Sequence, residues 1–192
     1  MTVLTIAACA CGSSPRGSEP PVLAVGTDPI ALYVVNDGKV EEQRSGIAPA
    51  WSPDGRHLAY GGDYDANVWV DDRSYPVGDI ASLEWTPDGR FLLYERGGIR
   101  LFDTITGTEE LVAPGTQPAL SPDGRTVAYL CYEKQKGTGN PIASTLQVVE
   151  LAGGEPRVLA RTKGPPFGSH FESRPQWFAD GSGVAVARRI TQ

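Results

Sequence analysis

Cysteine is scarce in this chain of 192 residues, which holds only Cys9, Cys11 and Cys131. Two lie in the first dozen residues and one far inside, so there is no paired spacing of the disulfide or zinc kind. Cys9-Ala10-Cys11 is at most half a metal site, because no cysteine or histidine follows nearby; Cys131 reads as a small buried apolar residue. Histidine is scarcer still: His57 follows a turn and reads as a surface residue, and His170 has Ser169 beside it. Neighbours in sequence rarely form a nucleophile–base pair, so neither histidine is assigned a catalytic role. Positive charge is also short, with 17 Lys and Arg against 23 Asp and Glu and a formal net charge of −6. Phosphate binding needs a Lys/Arg excess on one face, so no nucleic-acid partner is expected. No stretch reaches the roughly 18 apolar residues of a membrane span. Gly-x-Ser-x-Gly, a phosphate loop and His-Glu-x-x-His are all missing. Asp63-Tyr64-Asp65-Ala66-Asn67 matches the first half of a calcium loop, but the following Gly is missing and Ser74 stands where the twelfth-position Glu belongs. No catalytic residue, cofactor or metal is therefore expected.

What is plentiful is turn chemistry. Hydrophobic residues make up 40% and charged residues 21%, ordinary for a folded domain. Gly (23) and Pro (16) are both frequent and recur at regular places, the signature of many short strands. The N-terminus differs. Ile6-Ala7-Ala8-Cys9 resembles the lipobox of bacterial lipoproteins, in which the cysteine is acylated after signal cleavage, making Cys9 the candidate lipidation site. No Lys or Arg precedes it, and the apolar run is only about eight residues, short for a signal core; a start codon assigned too far downstream explains both. Gly12 to Pro21 then reads as a flexible tether. The expected division is 1–21 as signal-like segment and tether, and 22–192 as the folded domain.

A repeat dominates that domain. Trp51-Ser52-Pro53-Asp54-Gly55-Arg56-His57-Leu58-Ala59-Tyr60 recurs as Trp85-Thr86-Pro87-Asp88-Gly89-Arg90-Phe91-Leu92-Leu93-Tyr94 and as Leu120-Ser121-Pro122-Asp123-Gly124-Arg125-Thr126-Val127-Ala128-Tyr129. A degenerate copy carries Asp180-Gly181 after Trp177-Phe178. The motif aspartates lie 34, 35 and 57 residues apart, a period that means a propeller or solenoid. Ser or Thr opens the turn, Pro presets φ, Asp tolerates the third position and Gly closes with a free φ. Alternating apolar residues after the turn have strand period. A third strand follows, such as Arg100–Asp103, and then an edge strand carrying charge or Pro, such as Glu109–Val112. Four strands per repeat of this length make a propeller blade. None of the motif aspartates needs a ligand in this reading.

Trp-Ser-Pro-Asp-Gly-Arg followed by Leu-Ala-Tyr, with a Leu-Tyr-Val-Val-Asn strand, resembles the repeats of TolB-type β-propellers, distant relatives of WD-repeat propellers. The resemblance covers nearly all of residues 22–192. It implies an all-β propeller of about four four-stranded antiparallel blades, and a periplasmic or cell-surface location in a bacterium. It does not imply one function, since such repeats serve periplasmic scaffolds, sensor ectodomains and the lid domains of some serine peptidases. Two expectations follow. The chain is a non-catalytic binding or scaffold propeller with a protein or peptide partner, touching the membrane only through a lipid anchor. Alternatively, it is the propeller part of a larger prolyl-oligopeptidase-like peptidase whose hydrolase domain lies outside the chain.

Complete blades are expected at 47–79, 81–113 and 117–160, with strands two to four of another at 22–42 and strands one and two at 174–188. One second strand is surplus, which favours an open or partial ring over a closed four-bladed one. The two longest loops, Glu133 to Ser144 and Arg161 to Arg174, should emerge on one face. They carry Lys134, Lys136, Lys163, Phe167, His170, Phe171 and Arg174, a basic and aromatic set expected to bind an acidic or peptide partner.

Overall fold

The computed structural model describes residues 5–6, 23–27, 31–36, 39–44, 46–62, 66–134, 137, 141–163, 170–171 and 173–189. Cys9, the tether, the calcium-like Asp63–Asp65, Lys136 and Phe167 lie outside the described residues. The chain divides into two compact units, Met1–Trp85 and Thr86–Gln192.

In the first unit, β1 (Thr5–Ile6), β2 (Leu23–Thr27), β3 (Ala31–Asn36) and β4 (Lys39–Arg44) form an antiparallel sheet in sequence order. β5 (Ile47–Trp51), β6 (Leu58–Gly61), β7 (Val68–Val70) and β8 (Arg73–Tyr75) form a second, and β9 (Leu83–Trp85) closes the unit. In the second unit, β10 (Phe91–Glu95), β11 (Ile99–Asp103) and β12 (Glu109–Ala113) pair antiparallel in sequence order. β13 (Thr116–Leu120), β14 (Thr126–Lys134), β15 (Pro141–Glu150) and β16 (Arg157–Lys163) form the last complete sheet. β17 (His170–Phe171) pairs with β20 (Arg188–Arg189), and β18 (Gln176–Trp177) with β19 (Val184–Ala185).

The three complete repeats thus fall where the turn motif puts them, and β2 to β4 occupy the expected second to fourth places. Two features differ. Thr5–Ile6 of the signal-like segment pairs with Val25 and Gly26 on β2. The β17–β20 ladder has no counterpart in the repeat pattern.

The second strand of each complete repeat is buried on both faces, not on alternate residues. All four residues of β6 are buried, as are Leu92–Tyr94 and Val127–Leu130. A strand packed between neighbouring sheets has no solvent face, so the residues between the large ones become small or aliphatic, as Ala59 and Ala128 are. One core joins Leu93, Ile99 and Leu101 to Leu120, Val127, Tyr129 and Val149. Another joins Leu130, Leu146 and Val148 to Phe171, with Trp177 and Val184 packed against it. In the first unit Leu58 and Tyr60 gather Trp51 and Trp69, the Tyr60 and Trp69 rings stacked with centroids 6.3 Å apart.

The two long loops are shorter than expected. β14 runs on to Lys134 and pairs it with Pro141, and β16 runs on to Lys163 opposite Ala143. Strand pairing satisfies backbone groups that a loop would leave to water, so the ladder extends as far as the side chains allow.

Candidate functional site

The motif aspartates are turn residues. In the first complete repeat Gly55 N donates to Ser52 O at 2.8 Å, Ser52 Oγ to Asp54 Oδ1 at 2.6 Å, and Arg56 N to the same Oδ1 at 3.1 Å. His57 N returns a bond to Ser52 Oγ at 2.9 Å. The same bonds recur around Asp88 with Thr86, and around Asp123 with Ser121. At the degenerate copy Ser182 supplies both the N–H and the hydroxyl to Asp180. Gly55, Gly89, Gly124 and Gly181 sit at φ of 70°, 69°, 72° and 71°, the conformation the motif was expected to need. The hydroxyl bond, first among the causes, lowers the pKa of all four aspartates, so each is anionic at neutral pH. Pro53, Pro87 and Pro122 take the second position. The turns of the second unit also touch: a Cβ on Gly124 would lie 2.6 Å from Pro87 Cδ.

One step along, the end of the third strand is tied back to the start of the second. His57 Nδ1 meets Asp71 Oδ2 at 2.7 Å, with the imidazole half exposed as expected of a surface residue. In the next repeat Arg90 Nη2 meets Asp103 Oδ2 at 2.6 Å while its guanidinium lies 4.7 Å over the Phe91 ring. That guanidinium, helped by the backbone N–H groups of Ile105 and Thr106, lowers the Asp103 pKa to about 2. In the last complete repeat the paired residues are Thr126 and Glu150, and Glu150 has no such partner among the described residues.

Beside the touching turns a cleft of about 960 Å³ opens, lined among others by Asp88, Phe91, Glu110, Asp123, Glu150 and Leu151. A recess of about 280 Å³ shares Phe91, Leu101 and Glu110 with it. The repeat pattern places Asp88 and Asp123 in turns and Glu110 on an edge strand, and marks none of the lining residues for a site. Their convergence requires two repeats side by side, which no local pattern states.

The expected loop face looks different from its residue types. Lys134 is exposed. Phe171 is not an exposed anchor: it is only 7% exposed, packed in the core with Leu130 and Leu146. Its N–H donates to Ser144 Oγ at 2.8 Å and its carbonyl accepts from Tyr132 Oη at 3.0 Å. Arg174 is half-buried and gives its Nε–H to the Pro118 carbonyl. An aromatic ring and a guanidinium with partners in their own unit hold β17 in place; they are not poised for a ligand. Lys163 and His170 are placed as strand ends. Ser144 Oγ joins Thr162 Oγ1 at 3.1 Å as well as Phe171 N, so β15, β16 and β17 meet; most residues of the two shortened loops lie outside the described residues.

Among the described residues no group of three or more His, Cys, Asp or Glu could hold a metal ion, and no helix is long and apolar enough to cross a membrane. No protein-family model and no curated protein sequence matches the chain. Solved structures do. A chain of Kuenenia stuttgartiensis hydrazine synthase matches with a TM-score of 0.65 at 19% identity, over 87% of this chain and 52% of that one. An Agrobacterium tumefaciens protein solved as a TolB gives 0.63 at 18%, over 88% and 71%. The fold is a β-propeller. TolB from Acinetobacter baumannii matches the same propeller with a TM-score of 0.55 at 19% identity, over 85% of this chain and 45% of that one. The chain therefore spans about half the length of the hydrazine synthase chain, and identities this low speak for the propeller fold alone.

Proposed function

We propose that this propeller is a non-catalytic binding or scaffold module of the bacterial envelope, periplasmic or on the cell surface and tethered through Cys9. It holds a protein or peptide partner at the loop end of its β13–β16 blade. The observation that carries the reading is the junction of Ser144, Thr162 and Phe171. It brings the chain leaving Lys134 and the chain leaving Lys163 to adjoining strand ends on a hydrogen-bonded base. Segments displayed on a rigid scaffold in this way are where recognition resides. The lysines flanking them, Lys134, Lys136 and Lys163, suit an acidic surface on an otherwise acidic protein. The motif aspartates, the first residues a search for general acids would choose, are committed to their turns.

The test compares capture from envelope extracts by the native chain, by Lys134→Glu with Lys136→Glu, and by the turn-face control Arg56→Glu. Loss of one captured protein in the lysine variant alone supports the assignment. Equal capture by all three overturns it. The length relation to the hydrazine synthase chain favours a second reading, a propeller module within a longer protein such as a prolyl-oligopeptidase-like peptidase. A Gly-x-Ser-x-Gly segment encoded beyond residue 192 would decide for it.

A further inference from the structure

The cleft beside the Asp88 and Asp123 turns lies apart from the loop end and has a different chemistry. Its floor is apolar: Leu101 is buried, while Phe91 and Leu151 are partly buried against the same core. Its rim is acidic. Asp88 and Asp123 stand on neighbouring turns, and every hydrogen bond given to either carboxylate falls on Oδ1, which leaves each Oδ2 as an acceptor. Glu110 and Glu150 line the walls, both exposed and neither in an ion pair among the described residues. Opposing these four carboxylates, Arg125 is the lone Lys or Arg lining the larger cavity. Arg90, in the adjoining recess, is already bound to Asp103.

Glu150 makes the arrangement specific. It pairs with Thr126 as Asp103 pairs with Phe91 in the repeat before, where the carboxylate is tied back to Arg90; in the first complete repeat Asp71, also at the end of the third strand, is tied to His57. Here Arg125 stands where Arg90 does in the repeat before, yet among the described residues no ion pair joins it to Glu150, and the longer Glu side chain is left free. The walls hold their shape because the turns are locked by their own bonds and Pro87 packs on Gly124. A site that needs no reorganisation loses less on binding.

We propose that this cleft binds an extended, cationic segment of a partner polypeptide, with apolar side chains on the Phe91, Leu101 and Leu151 floor and Lys or Arg between the Glu110 and Glu150 walls. Charge complementarity selects the sign of the partner, and the apolar floor selects a peptide over a simple polycation. The proposal is independent of the loop-end reading, whose lysines lie elsewhere.

The probe is a dye-labelled peptide of alternating lysine and leucine, titrated with the native chain and followed by fluorescence anisotropy. Glu110→Gln with Glu150→Gln should weaken binding roughly five- to tenfold, since two exposed pairs are lost. Raised salt should weaken native binding, and a lysine–serine peptide should bind less than the lysine–leucine one. Lys134→Glu with Lys136→Glu should leave this affinity unchanged, which separates the site from the loop end. Equal affinity of the glutamine variant, equal binding of the lysine–serine peptide or of spermidine, or equal binding of a glutamate–leucine peptide would each overturn the proposal.

Discussion

The indole N–H groups offer a controlled comparison of what holds one blade to the next. Trp85 Nε1 donates to the Ala50 carbonyl at 2.9 Å, and Trp177 Nε1 donates to the Ala119 carbonyl at the same distance. In each case the acceptor immediately precedes the aromatic or Leu of the neighbouring inner strand. Trp51 holds the same place in its repeat, yet its Nε1 is buried with no hydrogen-bond partner among the described residues. Replacing Trp by Phe removes similar ring area at each position, so the difference between variants isolates the N–H. At Trp85 the substitution loses a net hydrogen bond worth about 1 kcal/mol and strands a half-buried carbonyl. At Trp51 it removes an unsatisfied buried donor, whose desolvation costs about 1–3 kcal/mol, and so regains part of what the smaller ring loses. Trp85→Phe should therefore be less stable than Trp51→Phe by about 2 kcal/mol, with Trp177→Phe behaving like Trp85→Phe. For a chain of this size that gap is about 4–8 °C in Tm. Far-UV circular dichroism during heating and urea titration reads it without relying on tryptophan emission. If Trp51→Phe loses as much as Trp85→Phe, the indole–carbonyl bond is not what distinguishes them and the argument fails.

Glycine substitutions separate backbone strain from crowding: Gly55→Ala faces open space and should lose about 1 kcal/mol from its φ of 70° alone, whereas Gly124→Ala also drives a methyl into Pro87 and should lose clearly more. Equal Tm losses would mean that the two turns of the second unit do not touch. Phe171→Ala should cost about 3 kcal/mol of unfolding free energy in urea, as a core truncation does, and an unchanged denaturation midpoint would return Phe171 to the list of binding residues. Stability should also fall in acid. The folded-state pKa values of Asp54, Asp88, Asp103, Asp123 and Asp180 are all depressed, so their contributions are present above the ordinary value of 3.8 and are lost as pH falls toward about 2 for Asp103. Tm measured from pH 6 to pH 2 should be flat at first and then drop below about pH 4, with Asp103→Asn flattening that drop; an equal drop in the Asp103→Asn variant would refute the assignment.

The blades were legible because their punctuation is chemically local. Ser52, Pro53, Asp54 and Gly55 contain within four residues the hydroxyl, the fixed φ, the carboxylate and the free φ that the turn uses. Their recurrence located three sheets to within a few residues. Phe171 was misread for the opposite reason. It stands among His170, Glu172 and Arg174 with no apolar period around it, and its burial is set by Leu130, Leu146 and Tyr132, distant in sequence. The two-residue β17–β20 ladder is likewise too short to leave a pattern. The cleft escaped notice because Glu110 and Glu150, separately, are an unremarkable edge residue and strand end.

A repeat protein constrains where recognition can be sought, because whatever recurs in every blade is already explained by the blade. The turn aspartates recur, make the same bonds each time, and so carry no information that distinguishes this chain from its own other repeats. Information about function must lie where one repeat departs from the rest. The β13–β16 blade departs most. Its second and third strands run on to a ladder ending at Lys134 and Pro141, beyond the five-residue strands of the repeat before it. Its Glu150 is free where Asp71 and Asp103 are tied. The second departure is costly in a purely structural role, since it gives up a carboxylate tie of the kind that Asp71 makes to His57 and Asp103 to Arg90. The two departures lie at opposite ends of the same long strand, β15, which begins at Pro141 and ends at Glu150. Lys134 and Lys163 of the neighbouring strands pair beside its start, and Glu150 stands at its close, so one strand links a basic end of the sheet to an acidic one. A partner at either end meets a surface whose geometry is set by the ladder rather than by the partner, and the charge-reversal and glutamine variants can be read independently of one another.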